Sequence, residues 1–215
     1  MDQKLKKWIQ WLETIHGEIR ELRMAQEIFS SVQELVKKNK NIQKPSSFYA
    51  YLQNTYVSYV LMGIRRQVKN DQSSISFVRL LTEMSKEPSV LHRTYFRQLY
   101  EGHTADSENE DFDRFCDQPG APHISSSLVE EDMRKLEKTS RSCEKFADKR
   151  IAHLDQQKPT SLVTMEDVDD VISILDRLYV KYHLLFHAVS IETVKPTYQY
   201  DWMEIFDHPW RKNTE

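Results

Sequence analysis

The chain has 215 residues, with 30 basic and 33 acidic side chains and a net charge of −3. That balance excludes a global basic field that recruits nucleic acid, so any phosphate contact has to come from a local patch. Hydrophobic residues make up only 39%, yet 9 Phe, 10 Tyr and 4 Trp supply a core, and 4 glycines are too few for the tight turns of a sheet protein.

The first element is a long amphipathic helix over residues 2 to 39. Its apolar positions, from Trp8, Leu12, Ile15 and Ile19 to Val32 and Val36, recur at threes and fours, and KKNKN ends it. Pro45 with Ser46 or Ser47 starts the next, which runs through FYAYLQNTYVSYVLMGIRRQVK to about Lys69 and is apolar nearly all round, predicting the most buried helix. NDQSS breaks the chain. ISFVRLLTEMSK then forms a short helix closed by Pro88, and SVLHRTYFRQLYE another. Residues 103–126, polar and holding Pro119, Gly120 and Pro122, read as a flexible loop with a helical turn around Phe112 and Phe115.

From Ser127 a helix runs to about Leu154 with the seam Leu136, Ser140, Cys143, Ala147, Ile151, Leu154. Thr164 caps the last long helix, whose first turns carry Glu166, Asp167, Asp169 and Asp170. The tail over 192–215, with Trp202, Phe206 and Trp210, is too apolar to hang free and is expected to pack on the bundle. The expected architecture is one all-α domain over 1–215, an up-and-down bundle of five to six main helices.

Cys116 and Cys143 form no metal-spaced pair, which suits a reducing compartment. The N-terminus lacks the apolar core of a secretory signal, and no run of about 18 apolar residues predicts a membrane span. These features predict a soluble cytoplasmic protein with no membrane contact. His183 and His187 stand at i and i+4, a spacing that can hold a metal, but HLLFH has no glutamate between them. A core or interface pair is the better reading, so neither a metal nor a cofactor is expected.

The segment EKFADKRIAHLDQQKP carries the chemistry. On a regular helix Lys149 and Arg150 lie four and three residues before His153 and can flank its ring, while Asp148 faces the other way. A histidine beside two cations can trade a proton near neutral pH while the cations hold a phosphate. The same residues also suit a helix C-terminus, where His, Lys and Arg complement the dipole. Arg65, Arg66 and Lys69, in GIRRQVKND, cap a dipole in the same way or form a second phosphate patch.

FADKRIAHLD resembles the signature of the HEPN superfamily, all-α bundles of prokaryotic toxin and phage-defence systems. The order of segments, with IRRQVKNDQSSISFVRLL ahead of a DKxxAHxD helix, is similar to abortive-infection proteins of the AbiU kind. The resemblance implies a homodimer with the motif at its interface, an RNA substrate, an antitoxin or other protein partner, and metal-independent endoribonuclease activity leaving a cyclic phosphate. It implies His153 as the proton-transfer residue, Asp148 as a positioning group and Arg150 or Lys149 as phosphate neutraliser; Arg65 and Arg66 are candidate RNA-binding cations from their own local patch. The family places arginine where this chain has Ala147. Either another cation has replaced it, or catalysis is lost and the bundle serves as a protein or nucleic-acid interaction module.

Overall fold

In the computed structural model, which describes residues 2–100, 105–152 and 163–208, every regular element is helical. The order is α1 (Gln3–Lys38), α2 (Ser47–Val68), α3 (Phe77–Lys86), α4 (Arg93–Leu99), α5 (Ala105–Asp113), α6 (Ser126–Phe146) and α7 (Met165–His187). The expected all-α bundle is what forms.

Local chemistry sets the helix starts. The Asp2 carboxylate accepts from the Lys4 amide at 2.6 Å, and the Ser76 hydroxyl oxygen accepts from the Arg79 amide at 3.1 Å. The Ser125 hydroxyl does the same for Leu128, also at 3.1 Å. Thr164 and Asp167 form a reciprocal capping box at the head of α7. At the other end of α7, Ala188 closes the helix in the left-handed conformation at φ 53°.

Helix α1 buries Leu5, Trp8, Leu12, Ile15, Ile19, Leu22 and Phe29, the three-four spacing visible in its sequence. It lies along α7, while α6 sits among α2, α3 and α7. Asp132 on α6 locks the α6–α7 contact. Its Oδ2 accepts from the Tyr182 hydroxyl at 2.9 Å and from Lys181 Nζ at 2.5 Å, so the buried carboxylate has a cation and a hydroxyl as partners.

Helix α2 departs from the expected all-round burial. Tyr56, Val60, Leu61, Gly63, Ile64 and Val68 are buried, but Phe48 is 53% exposed and Tyr51 67%. The first half of α2 lies beside the end of α1 and near the tail at Phe206, which leave Phe48 and Tyr51 uncovered.

The polar stretch 103–126 contains α5, and its aromatic residues Phe112 and Phe115 are buried. Arg93 reaches across to it: Nε donates to the Ala121 carbonyl at 2.9 Å, an amino group pairs with Asp113, and the guanidinium lies 4.7 Å from the Phe112 ring centre. After α7 the tail is tied back by Asp176, which accepts from the Thr193 hydroxyl at 2.7 Å and the Val194 amide at 2.9 Å. Lys195 pairs with Glu27 of α1 at 3.0 Å. Trp210 lies outside the described residues.

Candidate functional site at the junction of α2 and α6

The sequence reading treats residues 127 to 154 as one regular helix. The structure corrects this: α6 ends at Phe146, and Ala147–Ala152 form a π-helical turn. Bonding from i to i+5 widens the turn, so positions from Ala147 onward no longer follow a 100° wheel. Such turns recur at functional sites because they displace side chains from the regular face. His153 lies outside the described residues.

Ala147 opens the turn fully buried, with no exposed surface. Asp148 follows and faces α2. Arg65 Nε donates to Asp148 Oδ1 at 2.5 Å, and Lys69 Nζ approaches Oδ2 at 2.9 Å and Glu144 Oε1 at 2.8 Å. Glu144 and Asp148 are four residues apart, so one lysine bridges both. Burial pushes the Asp148 carboxyl up, but Lys69 and Arg65 outweigh it and hold it below its usual range. The hydrogen bonds that Lys69 donates to Glu144 and Asp148 raise its own pKa in turn. Both shifts favour the charged forms of Asp148 and Lys69.

The sequence-selected residues do not all converge. Arg65 and Asp148 are brought together, whereas Arg66 turns to α1, its Nε donating to Glu18 at 2.8 Å. Lys149 is half-buried and Arg150 exposed, and neither has a carboxylate partner among the described residues. Glu144 was not singled out from the sequence; its place four residues before Asp148 is the only signal it carries.

Arg65 holds Asp148 through Nε alone. Its two terminal amino groups make no hydrogen bond among the described residues, and the side chain is 27% exposed. A guanidinium anchored at Nε with its fork open can receive two phosphate oxygens.

Elsewhere the candidates are structural. The His183 and His187 ring centres lie 4.8 Å apart; His183 Nδ1 bonds the Val189 carbonyl at 2.9 Å, and His187 Nε2 is 3.7 Å from Glu13 Oε1. Among the described residues no group of three or more His, Cys, Asp or Glu is placed to hold a metal ion. Both cysteines are buried and unpaired, and burial pushes the Cys143 thiol up to about 11, away from nucleophilic use. No helix of the described residues is long and apolar enough to cross a membrane.

No curated protein and no solved structure shows significant similarity to this chain. The family model of the HEPN-type AbiU2 proteins matches residues 5–205, from the first turn of α1 to the tail beyond α7. The chain belongs to the AbiU2 family of HEPN abortive-infection proteins.

Proposed function

We propose that this abortive-infection protein cleaves RNA without a metal, at the junction of α2 with the π turn, and that Arg65 takes the part of the arginine absent at position 147. The observation that carries this reading is the Arg65–Asp148 contact: a guanidinium fixed through Nε beside the motif, with its fork open. His153 takes the proton of a ribose 2′-hydroxyl, whose oxygen attacks phosphorus. The P–O5′ bond breaks, the leaving O5′ takes up a proton from water while His153 returns its own to solvent, and a 2′,3′-cyclic phosphate and a 5′-hydroxyl result. Arg65 and Lys149 or Arg150 neutralise the charge gathering on the phosphoryl oxygens. Asp148 positions Arg65 rather than touching substrate. Pairing of two copies through the motif, as the family resemblance implies, would frame the site.

The test incubates purified protein with total RNA and tRNA in EDTA. Wild type should cleave. His153→Ala should lose at least about 10²-fold, and Arg65→Lys, which keeps the charge beside Asp148 but not the fork, should lose most activity with an unchanged helical CD spectrum. Inert wild type, or a His153→Ala variant as active as wild type, refutes the assignment.

The second reading, an interaction module without catalysis, is favoured by the burial of Ala147. A side chain with no exposed surface leaves no room for arginine, so Ala147→Arg should unfold the α6 end rather than create a nuclease. RNA bound but not cut, with affinity falling on Lys149→Glu and Arg150→Glu, would select this reading.

A further inference from the structure

Four basic side chains share one face of α6. Arg134, Lys138, Arg141 and Lys145 follow one another at steps of four, three and four residues, so on the regular helix Ser126–Phe146 they fall within an arc of about 60°. All four are exposed. They stand opposite the seam of Leu136, Ser140 and Cys143 that packs into the bundle. The strip is roughly 17 Å long by the helical rise. It ends at the π turn, where half-buried Lys149 and exposed Arg150 continue the positive charge beside the Arg65–Asp148 pair.

Helix stability does not account for these cations. The neighbouring carboxylates are engaged elsewhere: Glu131 with Lys135 at 2.8 Å, Asp132 with Lys181, and Glu144 with Lys69 at 2.8 Å. Glu137, at the edge of the strip, forms no ion pair among the described residues. Arg134 Nε donates to the Glu130 carbonyl at 3.2 Å, and the side chains of Lys138, Arg141 and Lys145 have no hydrogen-bond or carboxylate partner among the described residues. Like charges four residues apart, as at 134 and 138 or 141 and 145, cost a helix stability. The helix dipole favours cations only in the last turn, which Lys145 alone of the four occupies.

We infer that the outer face of α6 holds the backbone of a single RNA strand and leads it into the site at the π turn. This rests on the RNA reading of that site and adds its substrate class, an unpaired strand several nucleotides long rather than a dinucleotide. The cations recur about every 4.5 to 6 Å along the helix, near the spacing of successive phosphates in one strand, so the strip matches about four phosphates. A row one side chain wide follows one strand and does not bridge the two strands of a duplex. It also supplies the local patch that a chain of net charge −3 needs to meet a polyanion.

The test is fluorescence anisotropy with a labelled single-stranded 2′-O-methyl RNA of about 12 nucleotides, which has no free 2′-hydroxyl and so reads binding apart from cleavage. The full wild-type chain should bind it, more tightly than the same sequence as a duplex. Arg134→Gln, Lys138→Gln and Arg141→Gln together should weaken binding at least tenfold, with an unchanged helical CD spectrum, and lower the salt slope of log affinity by about 2, at roughly 0.7 per phosphate contact. Lys38→Gln, Lys40→Gln and Lys44→Gln remove the same charge from exposed positions at the other end of α2 and should change neither. If the α6 triple variant misfolds, Lys138→Gln alone should still lower the slope by about 0.7. A wild type that binds no RNA overturns the inference and leaves the strip to an acidic protein surface. So do a duplex bound more tightly, an α6 triple variant that binds like wild type, or equal effects of the two triple variants, which would report net charge alone. In the EDTA cleavage assay the α6 triple variant should raise KM with kcat nearly unchanged. RNA bound through α6 but never cut sinks the catalytic reading and keeps this one, whereas cutting with an unchanged KM in that variant does the reverse.

Discussion

At the scale of single residues, the four rings between α1 and α7 have the clearest consequence. His16 stacks on Tyr179 at 4.9 Å, Tyr179 neighbours His183 at 5.7 Å, and His183 neighbours His187 at 4.8 Å. Burial lowers both His16 and His187, with Arg20 and His183 adding to the first and His183 to the second, against the pull of Glu13. An unfolded chain releases these histidines to their ordinary value near 6.5, so below that pH it binds more protons than the folded one. Their contribution is complete above about pH 6.5 and is lost as pH falls toward the lowered folded values. Thermal unfolding followed from pH 7.5 to 5 should show Tm dropping below about pH 6.5, and His16→Gln with His187→Gln should flatten that part of the profile. A slope unchanged in the double variant would place the acid sensitivity elsewhere.

At the scale of elements, the crossing of α1 and α2 depends on Gly63. A Cβ there would stand 2.6 Å from Leu22 Cδ2 and 3.3 Å from its Cγ, and Leu22 is itself buried. Gly63→Ala gains about 0.5–1 kcal/mol in helix preference but must displace a packed leucine, an overpacking cost of about 1–3 kcal/mol. The net should be a loss of Tm by several degrees. Leu22→Ala in the same chain should restore part of it, a non-additivity that double-mutant analysis would read.

The same helices show what the residues alone reveal. The stripe from Trp8 to Ile19, the Thr164 cap and the breaks at Pro45 and Pro88 are local patterns, so they are legible without coordinates. Two features are not. The outward turn of α2's first half depends on which elements lie beside it, and an all-apolar stretch such as FYAYLQNTYVSYV does not say whether it is covered. The π turn at Ala147–Ala152 sets Asp148 against Arg65 and Lys69, partners distant in sequence. At the candidate site, Arg65 and Asp148 stand out in the sequence as charges, but their pairing and the bridge through Glu144 arise only when α2 meets α6.

At the scale of the molecule, the bundle is closed by a segment whose composition suggests a loop. Phe112 meets Phe96 at 5.3 Å and Phe115 meets Tyr182 at 6.5 Å, so the α5 region shares the core with α4 and α7. What fastens it is Arg93. This side chain is 9% exposed, and besides Ala121 and Asp113 it reaches Asn109 Oδ1 at 3.3 Å. The backbone reinforces it: the Arg93 amide donates to the Pro122 carbonyl at 2.8 Å, and the Ile124 amide to Leu91 at 3.4 Å. A guanidinium joins several acceptors at once, which a linear apolar side chain cannot do. Arg93→Met keeps the stem that packs on Phe112 but leaves the Ala121 carbonyl and the Asp113 carboxylate without their partner. Gly120 still donates to Asp113 at 2.9 Å, so the turn itself should persist. The expected result is a fall in Tm and faster proteolysis within 105–124, while α1, α2, α6 and α7 stay protected from amide exchange. Uniform loss of protection would instead mean that this segment and the bundle unfold as one unit, with Arg93 a member of the main core.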